Sequence, residues 1–172
     1  ESAIKKLKKQ GLFTEMLTGD SKINAKNIAK KIDIDQYYAE LLPNEKVEKL
    51  EETISKTNGS VIFVGDGIND APVLARADVG IAMGGLGSDV AIESADVVIM
   101  DDKPSKVALA INIAKKTMLI AKENIIFALG IKLMFLVLGG LGFVSMWGAV
   151  FADVGVSIIA ILNALRASYS KE

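Results

Sequence analysis

Ser60-Val61-Ile62-Phe63-Val64-Gly65-Asp66-Gly67-Ile68-Asn69-Asp70 is the stretch that decides the fold of this chain. Val61 to Val64 are apolar at both parities of an extended strand, which fits burial on both faces of a sheet. Gly65 and Gly67 then let the backbone turn sharply, and Asp66 and Asp70 bring two carboxylates to the strand tip. In an open parallel sheet ligands bind beyond the carboxyl ends of the strands, so this tip is where a site is expected.

The pattern around it alternates helix and strand. Ser2–Gln10 reads as an amphipathic helix closed by Gly11, Leu12–Leu17 as a strand ending in Thr18-Gly19-Asp20, and Ser21–Ile32 as a helix that Ser21 can cap. Tyr38–Leu42 reads as a short strand, and Pro43 opens a helix to about Lys56, proline being tolerated in a first turn. After the deciding stretch come a helix over Asp70–Ala77, a strand over Val79–Ala82, a glycine-rich loop, a short helix and a strand over Ala95–Met100. Such alternation predicts an α/β fold with a doubly wound parallel sheet. Asp78 and Asp96, close to strand starts, read as turn or capping residues.

From Pro104 the pattern changes to a helix that is first amphipathic, with Lys106, Lys115, Lys116 and Lys122, and then apolar. The 41 residues Ile125–Leu165 hold only two charges, Lys132 and Asp153. A bilayer core takes roughly 20 apolar residues per helix, so this stretch predicts two spans, 125–143 and 146–166. Gly139-Gly140 and Gly142, with Ser145, mark the turn between them. Lysines precede the first span, Arg166 and Lys171 follow the second, and the turn is uncharged. Positive charge stays inside, which puts both ends in the cytoplasm, the turn outside and Trp147 at the interface. The expected organisation is therefore an α/β part over 1–102, an amphipathic lead-in over 103–124, the two spans, and a cytoplasmic tail over 167–172. Glu1 is not a start residue and no charged-then-apolar leader follows it, so the sequence reads as a chain entered in mid-domain.

Composition narrows the chemistry. The 172 residues include 20 Lys+Arg and 21 Asp+Glu, and the formal charge of -1 gives no electrostatic case for nucleic acid. With no Cys and no His, disulfide scaffolds, thiol nucleophiles, His triads and zincin motifs are excluded within these residues. A metal bound here takes oxygen ligands, or ligands from outside. Two carboxylates near a phosphate suit Mg²⁺, which favours one or two carboxylates with water and phosphate oxygens. Thr18-Gly19-Asp20 adds a hydroxyl and a glycine amide at another strand tip, and Lys46 can bring one positive charge to a transferring phosphoryl group.

These residues resemble the second half of the phosphorylation domain of P-type ATPases, a branch of the haloacid-dehalogenase-like (Rossmann-like) superfamily. Thr18-Gly19-Asp20, Pro43 with Lys46, and Gly65-Asp66-Gly67-Ile68-Asn69-Asp70-Ala71-Pro72 stand in the family's order and spacing, and the likeness continues through Ala77-Asp78-Val79-Gly80-Ile81-Ala82-Met83-Gly84. The resemblance implies that Asp66 is a Mg²⁺ ligand, that Asn69 and Asp70 hold phosphate and metal geometry, that Thr18 bonds the phosphoryl group, and that Lys46 offsets its charge. It implies ATP as the phosphoryl donor. The family's phosphorylated aspartate belongs to an Asp-Lys-Thr-Gly motif, and that motif does not occur in these residues. A piece of this kind is expected to lack turnover on its own, and to lack the strand at the centre of its sheet.

The intramembrane charges sharpen the resemblance. A charge in a bilayer core costs about 3 kcal/mol on insertion scales and so needs a reason. Lys132 lies twelve residues before Val144 and Asp153 nine after it, depths of ~18 and ~14 Å from the turn, so the two can face each other. Asn124, Gly130 and Lys132 in the first span, with Ala152-Asp153-Val154-Gly155 and Asn163-Ala164-Leu165-Arg166 in the second, resemble the zinc/cadmium/lead-exporting class of heavy-metal P-type ATPases. In that class the matching lysine and aspartate belong to the transport site. The expectation is thus the carboxyl-terminal part of an exporter of divalent heavy-metal cations in the plasma membrane, partnered by the rest of the same pump. A membrane-tethered phosphatase of the superfamily and a non-catalytic anchored fragment are the alternatives.

Overall fold

The computed structural model describes residues 1–66, 68–84, 89–101 and 103–168. Gly67, the glycine-rich loop at 85–88 and the end of the expected tail lie outside the described residues. The chain divides into two compact units, Glu1–Ala108 and Leu109–Glu172.

In the first unit, α1 (Ser2–Lys9) leads to β1 (Glu15–Leu17), α2 (Lys22–Ile32), β2 (Gln36–Tyr38) and α3 (Pro43–Lys56). Then come β3 (Ile62–Gly65), a 3₁₀ turn (Ile68–Asp70), α4 (Ala71–Arg76), β4 (Val79–Met83), α5 (Asp89–Glu93) and β5 (Val97–Ile99). Every pairing is parallel, but the strands form two sheets, β1-β2 and β3-β4-β5. Among the described residues β1 pairs only with β2, and β3 only with β4.

Three strands start or stop elsewhere than the sequence pattern predicts, and the last, expected over Ala95–Met100, spans only Val97–Ile99. The expected Leu12–Leu17 begins at Glu15, because Thr14 is taken up by a side-chain clip: its backbone N–H and its hydroxyl both donate to Asp35 Oδ2, at 2.8 and 2.7 Å. The expected Tyr38–Leu42 is instead Gln36–Tyr38. Asp33, at φ 62°, ends α2 in the left-handed conformation, and the clip sets Glu15 opposite Gln36. Glu40, at φ 61°, then ends any extended run before Leu42. Ser21 caps α2 as its sequence position suggests, its hydroxyl accepting from Asn24 N–H at 3.4 Å.

The core lies around β4 and α4. Leu74, Val73, Ile81 and Ala82 are buried, with Phe63, Ala95 and Val98 packed against Leu74 and Ala82. Gly80 has no side chain for a plain reason: an added Cβ would sit 2.5 Å from the Leu74 carbonyl oxygen. Asp78 and Asp96 serve the strands. Asp78 accepts from Val61 N–H at 2.7 Å and Asp96 from Gly80 N–H at 2.8 Å, so each ties the head of the preceding strand to its neighbour.

A single helix, α6 (Ser105–Gly140), runs for 36 residues, about 54 Å. Gly139 and Gly140 are its last residues rather than the turn itself. Gly142, at φ 79°, closes it: Phe143 N–H donates to Leu138 O at 2.9 Å and Gly142 N–H to Gly139 O at 3.0 Å. This is the Schellman pattern that a left-handed glycine permits. Ser145 caps α7 (Met146–Val150) by accepting from Gly148 N–H at 3.4 Å. The return is not uniform α-helix. Phe151–Gly155 form a π-helical turn, followed by α8 (Val156–Ala164) and a 3₁₀ turn over Leu165–Ala167. Both the 36-residue helix and the 22-residue return are long and apolar enough to cross a membrane.

Candidate functional site

β3 delivers Asp66 to its carboxyl end, and the 3₁₀ turn that follows places Asn69 and Asp70. The turn is tight: a Cβ on Gly65 would lie 2.8 Å from Asp70 Cβ, so glycine is needed for Asp70 to fold back over the strand tip. Asp66 and Asn69 are exposed, and no hydrogen bond or ion pair of theirs is found among the described residues. Asp70 is largely buried and bonded. Its Oδ1 receives Lys46 Nζ at 2.8 Å, with the two side chains 14 and 17% exposed.

Lys46 belongs to α3, which touches elements of both sheets. Leu42 N–H donates to Glu45 Oε2 at 2.7 Å, with Pro43 in the first turn, and these fix where α3 begins. One turn in, Lys46 meets Asp70. Farther along, Thr53 Oγ1 donates to Glu15 Oε1 on β1 at 3.1 Å, and Arg76 of α4 bonds Glu51. Partial burial pushes the Glu15 carboxyl above its ordinary pKa, against the Thr53 bond.

At the tip of β1, Thr18 N–H donates to Tyr38 O at 3.0 Å, and Thr18 Oγ1 accepts from Asp20 N–H at 3.1 Å. The hydroxyl proton of Thr18 therefore remains to be donated elsewhere. Gly19 packs closely, since a Cβ would lie 3.3 Å from Leu41 O. Asp20 O accepts from Glu40 N–H at 2.9 Å. Lys46 is brought to Asp70, whereas no described bond joins Thr18-Gly19-Asp20 to the Asp66–Asp70 turn. The arrangement has the parts for handling a phosphoryl group: a hydroxyl donor, an ammonium and exposed carboxylate oxygen.

In the second unit, Lys132 Nζ donates to Asp153 Oδ1 at 2.9 Å. Asp153 sits in the π-helical turn, a local form often found at functional positions. Gly155 is required beside it, because a Cβ there would lie 2.7 Å from the Phe151 ring. The Phe151 ring meets Phe135 of α6 at a centroid distance of 6.5 Å. A recess of about 420 Å³ runs from the pair toward the turn, with Phe135, Ser145, Met146 and Ala149 in its wall. Sequence reasoning found the pair but not the π-turn, which no residue spacing announces. Among the described residues no three carboxylate, His or Cys groups come together.

The parallel sheets, with carboxylates at a strand tip, define a haloacid-dehalogenase-like domain, and the family model described as haloacid dehalogenase-like hydrolase matches residues 1–78. Over nearly its whole length the chain is similar to part of heavy-metal-transporting P-type ATPases. It is 59% identical over 166 residues to a zinc-transporting ATPase of Synechocystis sp. (strain ATCC 27184 / PCC 6803 / Kazusa), covering 95% of this chain and 23% of that protein. It is 56% identical over 167 residues to a cadmium, zinc and cobalt-transporting ATPase of Bacillus subtilis (strain 168), covering 95% and 24%. A crystal structure of a zinc-transporting PIB-type ATPase in the E2.Pi state matches with a TM-score of 0.90 and 38% identity, over 96% of this chain and 27% of that one. The chain thus spans about a quarter of the length of these relatives.

Proposed function

We propose that this chain forms the phosphorylation-domain and hairpin part of an ATP-driven exporter of divalent heavy-metal cations of the Zn²⁺, Cd²⁺ and Pb²⁺ group. The observation that carries the reading is the Lys132–Asp153 pair, 2.9 Å apart in a stretch, Ile125–Leu165, that holds no other charge. A tethered phosphatase has no use for such a pair, and a passive anchor gains nothing by carrying its insertion cost. Burying a charge is tolerated when a partner neutralises it, and is retained when the partner can be exchanged.

In this reading the nucleophilic aspartate belongs to the rest of the pump, and a strand bearing it fits along the unpaired edges of β1 and β3. Thr18 donates its hydroxyl proton to a phosphoryl oxygen, and the Gly19 amide lies beside it. Lys46 presents its ammonium to the same group while Asp70 fixes its position. The exposed carboxylate of Asp66 suits Mg²⁺, with Asp70 held behind it as an indirect support. Bound Mg²⁺ would supply charge neutralisation on the phosphoryl oxygens.

At the transport site Asp153 keeps one oxygen on Lys132 and has a second for a cation. A cation arriving there takes over the carboxylate, and the displaced ammonium repels it toward the exit. The hairpin crosses the plasma membrane with its turn outside and both ends in the cytoplasm, as the lysine distribution supports. Ligands for the remaining coordination positions come from other helices of the pump, and they set the order of preference among the metals.

The test is Asp153→Ala in the full-length protein. Zn²⁺-stimulated ATP hydrolysis is expected to vanish while phosphorylation by inorganic phosphate persists. Unchanged stimulation by Zn²⁺ would sink the assignment.

A further inference from the structure

We infer that Asn124 and Asn163 form a register latch for the hairpin, holding Lys132 opposite Asp153. The inference rests on the transport-site reading of Asp153 for its functional consequence, but not for its geometry.

The two helices meet along a regular seam. On α6 the shielded positions are Asn124, Ala128, Ile131, Phe135 and Leu138, spaced by alternating steps of 4 and 3. On the return they include Gly148, Ala152, Val156, Ala160 and Asn163. The α6 steps are those of a left-handed coiled-coil contact, while the return, which contains the π-turn, runs in steps of 4, 4, 4 and 3. Most seam residues of the return are small, and small residues let helix backbones approach closely in lipid.

Such a seam specifies contact but not register. Sliding one helix by a turn, about 5.4 Å, replaces one small or apolar contact with another. Lipid is as apolar as the side chains, so no hydrophobic penalty opposes the slide. The Lys132–Asp153 pair flanks the seam, and a lysine ammonium on a flexible four-carbon stem can follow its partner. The ion pair therefore cannot fix the register by itself.

The asparagines can. Each is the polar member of its seam, and they lie against each other. Asn163 Nδ2 donates to Asn124 Oδ1 at 2.8 Å, and Asn124 Nδ2 donates to Ala160 O at 3.0 Å. Arg166 completes the set, donating to Asn163 Oδ1 at 2.8 Å and to Glu123 Oε2 at 3.3 Å. A slide of one turn breaks both asparagine bonds across the seam together and leaves the amides without those partners at the margin of the apolar spans. A single buried asparagine sets register in coiled coils by the same logic. Asn124 precedes Lys132 by eight residues and Asn163 follows Asp153 by ten, about 12 and 15 Å. The latch and the ion pair are thus two rungs of one ladder, with the latch toward the Arg166 end.

The experiment uses the full-length protein in membranes without added metal. Phe135→Cys is paired in turn with Gly148→Cys, which faces the Phe135 ring, and with Ala152→Cys, one turn on. With both asparagines present, oxidative cross-linking to position 148 should exceed that to 152 at least fivefold. Asn124→Leu or Asn163→Leu should bring that ratio toward one, and the double variant should do no more than either alone. Asn124→Ala removes the same bonds without bulk, and is read where a leucine variant does not accumulate. Asn124→Gln, which keeps the amide, should restore much of the ratio. In the Asn124→Leu background the Zn²⁺ concentration for half-maximal hydrolysis should rise about tenfold, with little change in the maximal rate.

A cross-linking ratio that stays at its starting value in Asn124→Leu, Asn163→Leu and Asn124→Ala overturns the latch. So does an additive loss of Zn²⁺ response at unchanged ratio, which would make the asparagines independent ligands. A shifted ratio with undiminished Zn²⁺ response supports the latch and removes the transport-site reading instead.

Discussion

Lys46 Nζ lies 2.8 Å from Asp70 Oδ1, with both side chains largely shielded, and the contact joins two helix–strand segments 24 residues apart. Asp70 sits at the tip of the three-stranded sheet, whereas Lys46 belongs to the helix that also touches β1 through Thr53 and Glu15. One ammonium is thereby held at a fixed place over the strand tips. Removing it should act on chemistry more than on folding. Lys46→Met in the full-length protein is expected to slow phosphoenzyme formation by about 10²–10³-fold, the usual cost of deleting a preorganised donor at developing charge. Rapid-quench measurement of phosphorylated protein checks this, and a rate within a factor of three of the parent would contradict it.

Asp66 carries a different expectation, because its carboxylate is exposed and no described group engages it. Asp66→Asn keeps the shape and removes the charge that suits Mg²⁺. Phosphoenzyme formation should fall by at least ~10²-fold and its Mg²⁺ requirement should move to higher concentration. A titration with Mg²⁺ at saturating ATP reads both effects.

Gly155 and Phe151 test the π-turn. An added methyl at Gly155 meets the Phe151 ring at 2.7 Å, so Gly155→Ala should displace the ring or undo the turn that carries Asp153. Zn²⁺ stimulation is expected to drop at least fivefold, and Phe151→Leu in the same protein should recover part of it. Equal loss in the single and double variants would show that the ring is not what opposes the methyl.

Gly80→Ala addresses the core. The new Cβ would fall 2.5 Å from the Leu74 carbonyl oxygen, and a backbone oxygen does not move aside as a side chain does. A loss of about 1–3 kcal/mol is expected from overpacking. The apparent Tm of the full-length protein, compared with Gly59→Ala where a Cβ meets nothing within 4 Å, gives the measurement.

Asp35 should give the β1–β2 unit an acid-sensitive clip. Bonds from Lys8, then from the Thr14 hydroxyl and backbone, hold its carboxyl down from 3.8 to about 2. A depressed carboxylate stabilises the fold above its unfolded pKa, and that contribution is lost as pH falls from ~4 through ~2. Glu52, held at about 2 by Lys49 and then Lys56, titrates over the same window. Asp35→Asn should therefore lower hydrogen-exchange protection factors across residues 1–38 at neutral pH and flatten, without abolishing, their fall on acidification. Exchange in that region unaffected by the substitution would remove the clip as a stabilising element.

What the sequence made legible follows from how local each signal is. Gly65-Asp66-Gly67-Ile68-Asn69-Asp70 is contiguous, so its site could be read directly, and Pro43 with Lys46 lies within one helical turn. The membrane hairpin was legible because 41 residues hold only two charges. The ends of β1 and β2 were not, since they are set by Thr14 and Asp35, 21 residues apart and paired only in the fold. The π-turn is a matter of backbone hydrogen bonding among ordinary helix-compatible residues. The seam was hidden for another reason: nearly every residue of the two spans is apolar, so no contrast in polarity marks the side that faces the partner helix.

The open edges of β1 and β3 bear on how such a chain fares during synthesis. Each is a short row of backbone donors and acceptors with no strand beside it among the described residues. Val64, two-fifths exposed on β3, adds an apolar contact next to one of them. Until the strand from the rest of the pump fills them, unpaired edges of this kind accept whatever extended segment arrives first, including one from a neighbouring copy. Yield of properly assembled protein should therefore depend on crowding at the ribosome and on holdase chaperones, and overproduction should favour edge-to-edge clumping over degradation of a merely unstable monomer.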